Sequence, residues 1–169
     1  MIDADPQGTI SNWGRRRTNP KPRIEPADSG TAIERAILHL RSDGFTVAII
    51  DTAATNNSLS TSGIGAADLC LIPARPSPAD IEAALPTLSA VRRLDKRFAF
   101  VLNQTPGRSN RVSEAAIALS GAGVSRFLAS PSATTIKTLS EWAWASPSTI
   151  PTGKPQKRYT ISGGGPGNH

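Results

Sequence analysis

Cysteine, histidine and aromatic residues are scarce in this chain, and each scarcity removes a class of explanation. One cysteine, Cys70, among 169 residues excludes an internal disulfide, which fits a reducing compartment. It lies in the apolar run L-C-L-I-P and reads as a small core residue. The two histidines, His39 and His169, are too far apart and too lightly accompanied to suggest a metal centre, and no Ser/His/Asp or Cys/His arrangement stands out. Aromatics are 5% of residues, so the core is to be built from Ala, Ile and Leu. No apolar run approaches the roughly 20 residues that cross a bilayer. The start of the sequence lacks the basic-then-apolar pattern of a signal peptide. Together these absences lead us to expect a soluble, cytoplasmic protein with no membrane partner. A phosphate-gripping G-x-x-x-x-G-K-[ST] is also missing. Gly153-Lys154 is followed by Pro155, and Ser148 stands where the first glycine belongs.

What is present reads as one α/β domain, for which the length suffices. The net charge of +6 and pI near 10.2 permit an anionic partner such as nucleic acid or nucleotide, without requiring one. Residues 46–51, T-V-A-I-I-D, form a short β-branched run ending in an aspartate, the pattern of a buried parallel strand. Residues 1–2 are a second strand stub, running into D-A-D-P-Q-G, and residues 69–72 and 98–102 are further strands. Between them come helices. Residues 8–17 give a turn and a short helix carrying Trp13, broken by Pro20 and Pro22. Thr31 and Glu34 suggest a capping box, with Ile33, Ala36, Ile37 and Leu40 as one stripe and Gly44 as the stop. Ser77 caps the next helix, with Pro78 at its first position, Asp80 reaching back and an end towards Asp95. Residues 113–119 are a short helix. This alternation predicts a three-layer, mostly parallel, Rossmann-like sheet. After residue 129 the pattern dissolves, and the last twenty residues, rich in Gly, Pro, Lys and Ser, read as disordered.

The carboxyl edge of an open parallel sheet is where ligands bind, and Asp3, Asp5, Asp51 and Asn103 all fall there. Two aspartates one residue apart, with a third on a neighbouring strand, suit a hydrated Mg²⁺, which takes few carboxylates, several waters and substrate phosphates. One carboxylate can also orient water towards a phosphoryl group. On residue type alone the commoner use of the same aspartates is to cap turns and helix N-termini, and Asn103 is as ordinary in a turn.

Wording and order go further. D-A-D-P-Q-G-T-I-S-N-W, V-A-I-I-D-T-A-A, A-A-D-L-C-L-I-P-A-R-P-S-P-A-D-I and K-R-F-A-F-V-L-N-Q, in this sequence, resemble the ParA/MinD-type partitioning ATPases as far as about Val124. The resemblance implies a P-loop NTPase type of fold, ATP and Mg²⁺ as cofactors, and a role in plasmid or chromosome partitioning. It implies a homodimer, non-specific DNA and a centromere-binding, ParB-like protein as partners. By position, Asp5 resembles the water-orienting carboxylate, Asp3 the nearby aspartate on the Mg²⁺ side, Asp51 the aspartate that holds Mg²⁺ through water, and Asn103 the residue that reads adenine.

Two departures accompany the match. The family's K-G-G-x-G-K-[ST] precedes D-x-D-P-Q, whereas this chain begins at Met1 just ahead of it. We therefore expect a partial nucleotide-binding domain, residues 1–129, incomplete at its N-terminus, with weak or absent ATP binding. At the other end, codons permitted for residues 130–145 and 154–165 regroup, one nucleotide out of frame, into the wording of the family's C-terminus. This leads us to expect residues 130–169 to be a non-native or disordered tail in which Trp142, Trp144, Lys154, Lys157 and Arg158 carry no selected function. A basic linker is the other reading of that tail. The rival to an ATPase switch is a non-catalytic fragment that binds a full-length partitioning ATPase or its partner. Two basic runs, Arg15, Arg16, Arg17, Lys21 and Arg23, and Arg92, Arg93, Lys96 and Arg97, suit DNA phosphates or a solvated face. Arg108 and Arg111 follow Asn103 and suit a nucleotide's surroundings.

Overall fold

Aliphatic runs separated by capped helices give an alternating α/β chain in the computed structural model, which describes residues 1–54, 57–105, 110–124, 127–129 and 157–163. The elements are β1 (Ile2–Ala4), α1 (Thr9–Arg15), β2 (Glu25–Pro26), α2 (Gly30–Ser42), β3 (Val47–Ala53) and α3 (Ser58–Ala66). They continue as β4 (Leu69–Ala74), α4 (Pro78–Arg93), β5 (Phe98–Leu102), α5 (Arg111–Gly121), β6 (Phe127–Ala129) and β7 (Lys157–Gly163). One sheet results, in the order β2-β1-β3-β7-β4-β5-β6, and every pairing in it is parallel. The fold is therefore α/β and Rossmann-like.

Local chemistry explains the helix ends. α2 buries Ile33, Ala36, Ile37 and Leu40, the expected stripe. Its cap differs from the expected one. Ser29, extended at φ −150°, accepts the Ala32 N–H at 3.2 Å, so Thr31 lies inside the first turn and Glu34 just beyond it, and the two form no box. Gly44, at φ +82°, closes the helix in a Schellman turn. Its N–H reaches the Arg41 carbonyl at 3.1 Å, and the Phe45 N–H reaches Leu40 at 3.0 Å. α4 is capped as expected, with the Asp80 N–H on Ser77 Oγ at 3.2 Å and the Ser77 hydroxyl donating back to the Asp80 carboxylate. Strand β5 has the expected bounds, and α5 extends two residues beyond the expected helix at each end.

Strands overrun their expected ends, and this matters for the site. β1 continues to Ala4 and β3 to Ala53, because Ala4 pairs with Thr52 and Thr52 with Ser162. Asp3 and Asp51 consequently sit within strands, directly opposite one another.

The direction of the connections sorts the layers. From β2 to β3, β3 to β4, β4 to β5 and β5 to β6 the chain always moves the same way along the sheet. Right-handed crossovers then place α2, α3, α4 and α5 on one face, whereas β1 to β2 moves the other way and puts α1 on the opposite face. Two buried clusters follow. Ile2, Ala4, Ile33, Ile37, Leu40, Ala48 and Ile50 form one, and Ile64, Cys70, Ile72, Ile81, Leu88, Val91, Phe100, Leu102 and Leu119 belong to the other. Cys70 is the core residue expected of it. Burial pushes its thiol up to about 11, against the pull of Lys96, so it stays protonated and unreactive.

Between the two halves lies β7. Residues 157–163 pair with Val47–Ala53 on one side, and Tyr159, Thr160 and Ile161 pair with Leu69, Cys70 and Leu71 on the other. The composition around this segment led us to expect no regular element there. K-R-Y-T-I-S-G nevertheless carries three consecutive strand-favouring residues, and a slot flanked by two parallel strands satisfies its backbone. The rest of residues 130–169, with Trp142, Trp144 and Lys154, lies outside the described residues, as does Arg108.

Two predictions follow from packing. A Cβ on Gly63 meets Thr52 Cγ2 at 2.7 Å, whereas one on Gly65 meets nothing within 4 Å. Gly63→Ala is expected to destabilise by about 1–3 kcal/mol, and Gly65→Ala to be neutral or stabilising by up to about 1 kcal/mol, as read by urea unfolding. Thr160→Pro removes a ladder N–H from a strand flanked on both sides. It should sharply lower the urea midpoint; an unchanged midpoint would place residues 157–163 outside the sheet.

Candidate acidic site at the carboxyl edge

The site is built from one turn and one strand row. After β1, the Gly8 N–H reaches the Asp5 carbonyl at 2.9 Å, and the Gln7 N–H reaches Asp5 Oδ1 at 2.9 Å. The Asp5 carboxylate thus closes an Asx turn. Gly8 turns the chain at φ +59°, which a side-chain-bearing residue rarely adopts, and serves as the N-cap of α1. With no side chain it cannot cap the helix itself. Asp3 does so from the strand: its Oδ2 accepts the Ser11 N–H at 2.7 Å and its Oδ1 the Asp5 N–H at 3.4 Å. Asp3 is 3% exposed, and two backbone donors and a helix N-terminus compensate its buried charge.

Asp51 is different. It sits beside Asp3 in the same register row, half-buried, and among the described residues it caps no helix and closes no turn. Burial, and then the fields of Asp3 and Asp5, push its carboxyl up to about 6. The described ion pairs join Arg23 to Glu25 and Asp43, His39 to the same two carboxylates, and Arg75 to Asp80. None of them involves the acidic row. Asp51 therefore carries the fields of two neighbouring carboxylates with no described ion pair to offset them, a deficit that a proton or a divalent cation relieves.

Asn103 is not brought into this group. It follows β5, while the acidic row lies on β1 and β3, so strand spacing puts β5 about 14 Å from β3 along the sheet. Its N–H reaches the Ala74 carbonyl at 2.8 Å, and its side-chain oxygen accepts the Gln104 N–H at 2.9 Å. Among the described residues, no group of three or more His, Cys, Asp or Glu side chains is arranged to hold a metal ion by itself. A Mg²⁺ that keeps most of its waters needs only one or two carboxylates. Asp51 and the outer oxygen of Asp5 fit that demand, whereas both Asp3 oxygens are already engaged.

Sequence reading missed Ser11 and Gly8, the residues that commit Asp3 to α1. The signal was there in a glycine three residues after Asp5 with a helix behind it. It also missed how far the first basic run is used within the fold. Arg23 pairs with Glu25 at 2.7 Å and with Asp43, and Arg17 holds the carbonyls of Lys21 and Pro22 at 2.6 and 2.8 Å.

The raised Asp51 gives a pH prediction. Its folded value exceeds the unfolded one, so the ionised form is disfavoured in the fold. The stability it contributes is full below about 4 and is lost as pH rises through about 6. Asp51→Asn should flatten that part of the stability profile and stabilise the protein at neutral pH by about 1–2 kcal/mol, after allowance for water's screening of a half-buried carboxylate. Parallel profiles for the two proteins, measured by urea unfolding, would contradict the assignment.

A family model described as VirC1 protein matches residues 2–118, which contain Asp3, Asp5, Asp51 and Asn103. The protein virC1 of Rhizobium radiobacter is 28% identical over 99 residues, covering 56% of this chain and 43% of that relative. The chain thus spans less than half the length of the relative it matches. No solved structure matches it. No helix among the described residues is long and apolar enough to cross a membrane. With more than half of its residues matched by that model, the chain belongs to the VirC1 protein family.

Proposed function

We propose that this chain is a ParA-related protein of DNA partitioning whose acidic edge answers to Mg²⁺ and a nucleotide phosphate, and whose own ATP turnover is weak or absent. The observation that carries the reading is Asp51: a half-buried carboxylate, raised to about 6, beside two others and unmatched by any described cation. A structural carboxylate is ordinarily capped or paired, as Asp3 and Asp5 are, and a strongly perturbed group at a ligand-binding edge is a site candidate. The motifs resembling the partitioning ATPases and the membership of the VirC1 family support the same reading.

In this proposal Asp51 holds the ion through water, and Asp5, with one oxygen fixed by Gln7, orients a water towards the phosphoryl group. Asp3 fixes α1 and adds its field. Asn103, whose amide nitrogen has no hydrogen bond among the described residues, reads the base from β5. Bound Mg²⁺ would offset phosphate charge. The weakness lies in the phosphates themselves, since the sequence holds no G-x-x-x-x-G-K-[ST] to cradle them. A second copy, DNA and a centromere-binding protein are the partners that the ParA resemblance proposes.

Mg²⁺ several-fold above its Kd should stabilise the wild-type protein by about 1 kcal/mol, roughly 2–4 °C in Tm. It should leave Asp51→Asn unmoved. Steady-state assays should show no Mg²⁺-dependent ATP hydrolysis. Turnover lost in Asp5→Asn would overturn the impairment while keeping the site, whereas an equal Mg²⁺ response in Asp51→Asn would remove the site itself.

A further inference from the structure

We infer that the end of α1 and the loop after it form a binding surface for single-stranded nucleic acid, with Trp13 as the stacking platform. The surface sharpens the DNA partner of the reading above. Its test reads this patch alone, so the Mg²⁺ site and the patch can fail independently.

Charge is the first argument. From Pro6 to Ile24 the sequence holds no aspartate or glutamate, but it holds Arg15, Arg16, Arg17, Lys21 and Arg23. Arg23 is neutralised by Glu25 and Asp43. The partners of the others are uncharged. Arg15 donates to the Asn12 side-chain oxygen at 2.5 Å, and Arg17 donates to two carbonyls. Among the described residues, four positive charges are therefore left without a carboxylate, and three of them, Arg15, Arg16 and Lys21, are exposed. Such a cluster attracts phosphate whatever the base sequence.

The second argument is shape. Trp13 is 48% exposed, and the Arg17 guanidinium carbon lies 3.9 Å from its ring centroid. Arg17 lies over the indole ring, and about half of the Trp13 surface stays open to solvent. The platform is preorganised. Arg17 ties α1 to the carbonyls of the loop, the Lys21 N–H reaches Asn19 Oδ1 at 2.9 Å, and Gly14 packs closely on Ile24, where a Cβ would come within 2.5 Å of Cδ1. An aromatic plane beside free cations is how sequence-tolerant proteins take unpaired bases, which duplexes do not present. The surface is a poor fit to a membrane, since α1 buries no residue and its sequence, T-I-S-N-W-G-R, has no continuous apolar face. The other basic run lacks these features. Arg92 holds the Ala122 and Gly123 carbonyls, Lys96 holds Ala67, and only Arg93 and Arg97 are left, with no exposed aromatic beside them.

The test uses the full chain and a fluorescent oligodeoxythymidylate of about 20 nucleotides, long enough to cover a site of this kind. Saturable binding at low salt is expected, weaker for a duplex of equal length. Trp13→Ala should weaken it roughly tenfold, the scale of one stacked base, whereas Trp13→Phe should retain most of it. Arg15→Gln/Arg16→Gln/Lys21→Gln should reduce the slope of log affinity against log salt by about 2, and Arg93→Gln/Arg97→Gln should leave it unchanged. With Trp142 and Trp144 replaced by Phe, the remaining indole should be quenched on binding. Urea midpoints matching wild type show that the variants are folded. Unaltered affinity in Trp13→Ala, equal or tighter duplex binding, or binding to phosphatidylserine vesicles without binding to the oligonucleotide would each overturn the inference.

Discussion

The sheet depends on the ladder that joins β3 to β4 through β7. Every other strand lies on one side of that join or the other, and the two buried clusters divide at the same place. β3 and β4 share no pairing with each other, so a row of backbone groups on each of them is satisfied by the strand between them. The central strand is also the last of the described strands in sequence. Its contacts therefore close the longest loop among the described pairings, and a strand that joins two half-built cores from so far along the chain is an entropically demanding step. Helix α3, packed tightly enough on β3 to leave Gly63 no room for a side chain, lies across the same junction and braces it.

The chemistry sits one strand over from that junction. Along the chain β1 hands on to β2 in one direction, whereas β3 hands on to β4 in the other. The crevice where directions part is where open parallel sheets take ligands. The row containing Asp3 and Asp51 lies beside it. Asp51 suffers twice, from lost hydration and from its neighbours. Asp3 gives one oxygen to the Ser11 N–H of α1 and the other to the Asp5 N–H, whereas Asp51 has no such partner among the described residues. The difference between two aspartates on adjacent strands, one answered by the fold and one not, separates a structural group from a candidate ligand.

Much of this was legible in the sequence, and what was not has physical causes. The stripe on α2, the Ser77 cap and the bounds of β5 were legible because each is decided within one element. Asp51 was found as a site candidate because an aspartate ending an apolar run is a local pattern too. Strand ends were read short because pairing with a neighbour, not propensity, carries Thr52 and Ala53 into β3. β7 was missed since its stability comes from strands more than eighty residues away along the chain, in surroundings whose composition argued for coil. The cap on α2 went to Ser29 and not Thr31 because backbone entry, fixed by β2 before it, chooses the residue.

A basic protein with an acidic site needs its charges kept apart, and α1 does this. Asp3 holds its first turn and Arg15 ends its last, an arrangement that also suits the helix dipole. Seven residues of helix span about 10 Å, slightly more than the screening length of roughly 8 Å at physiological ionic strength. At that salt the cations around Trp13 and the carboxylates around Asp51 act nearly independently. A phosphate backbone on the loop is then little repelled by the acidic row, and a cation in the row is little repelled by the arginines. At low ionic strength the two fields overlap and partly cancel. The net charge of +6 therefore understates both features, since it sums over regions that, in physiological salt, scarcely feel one another.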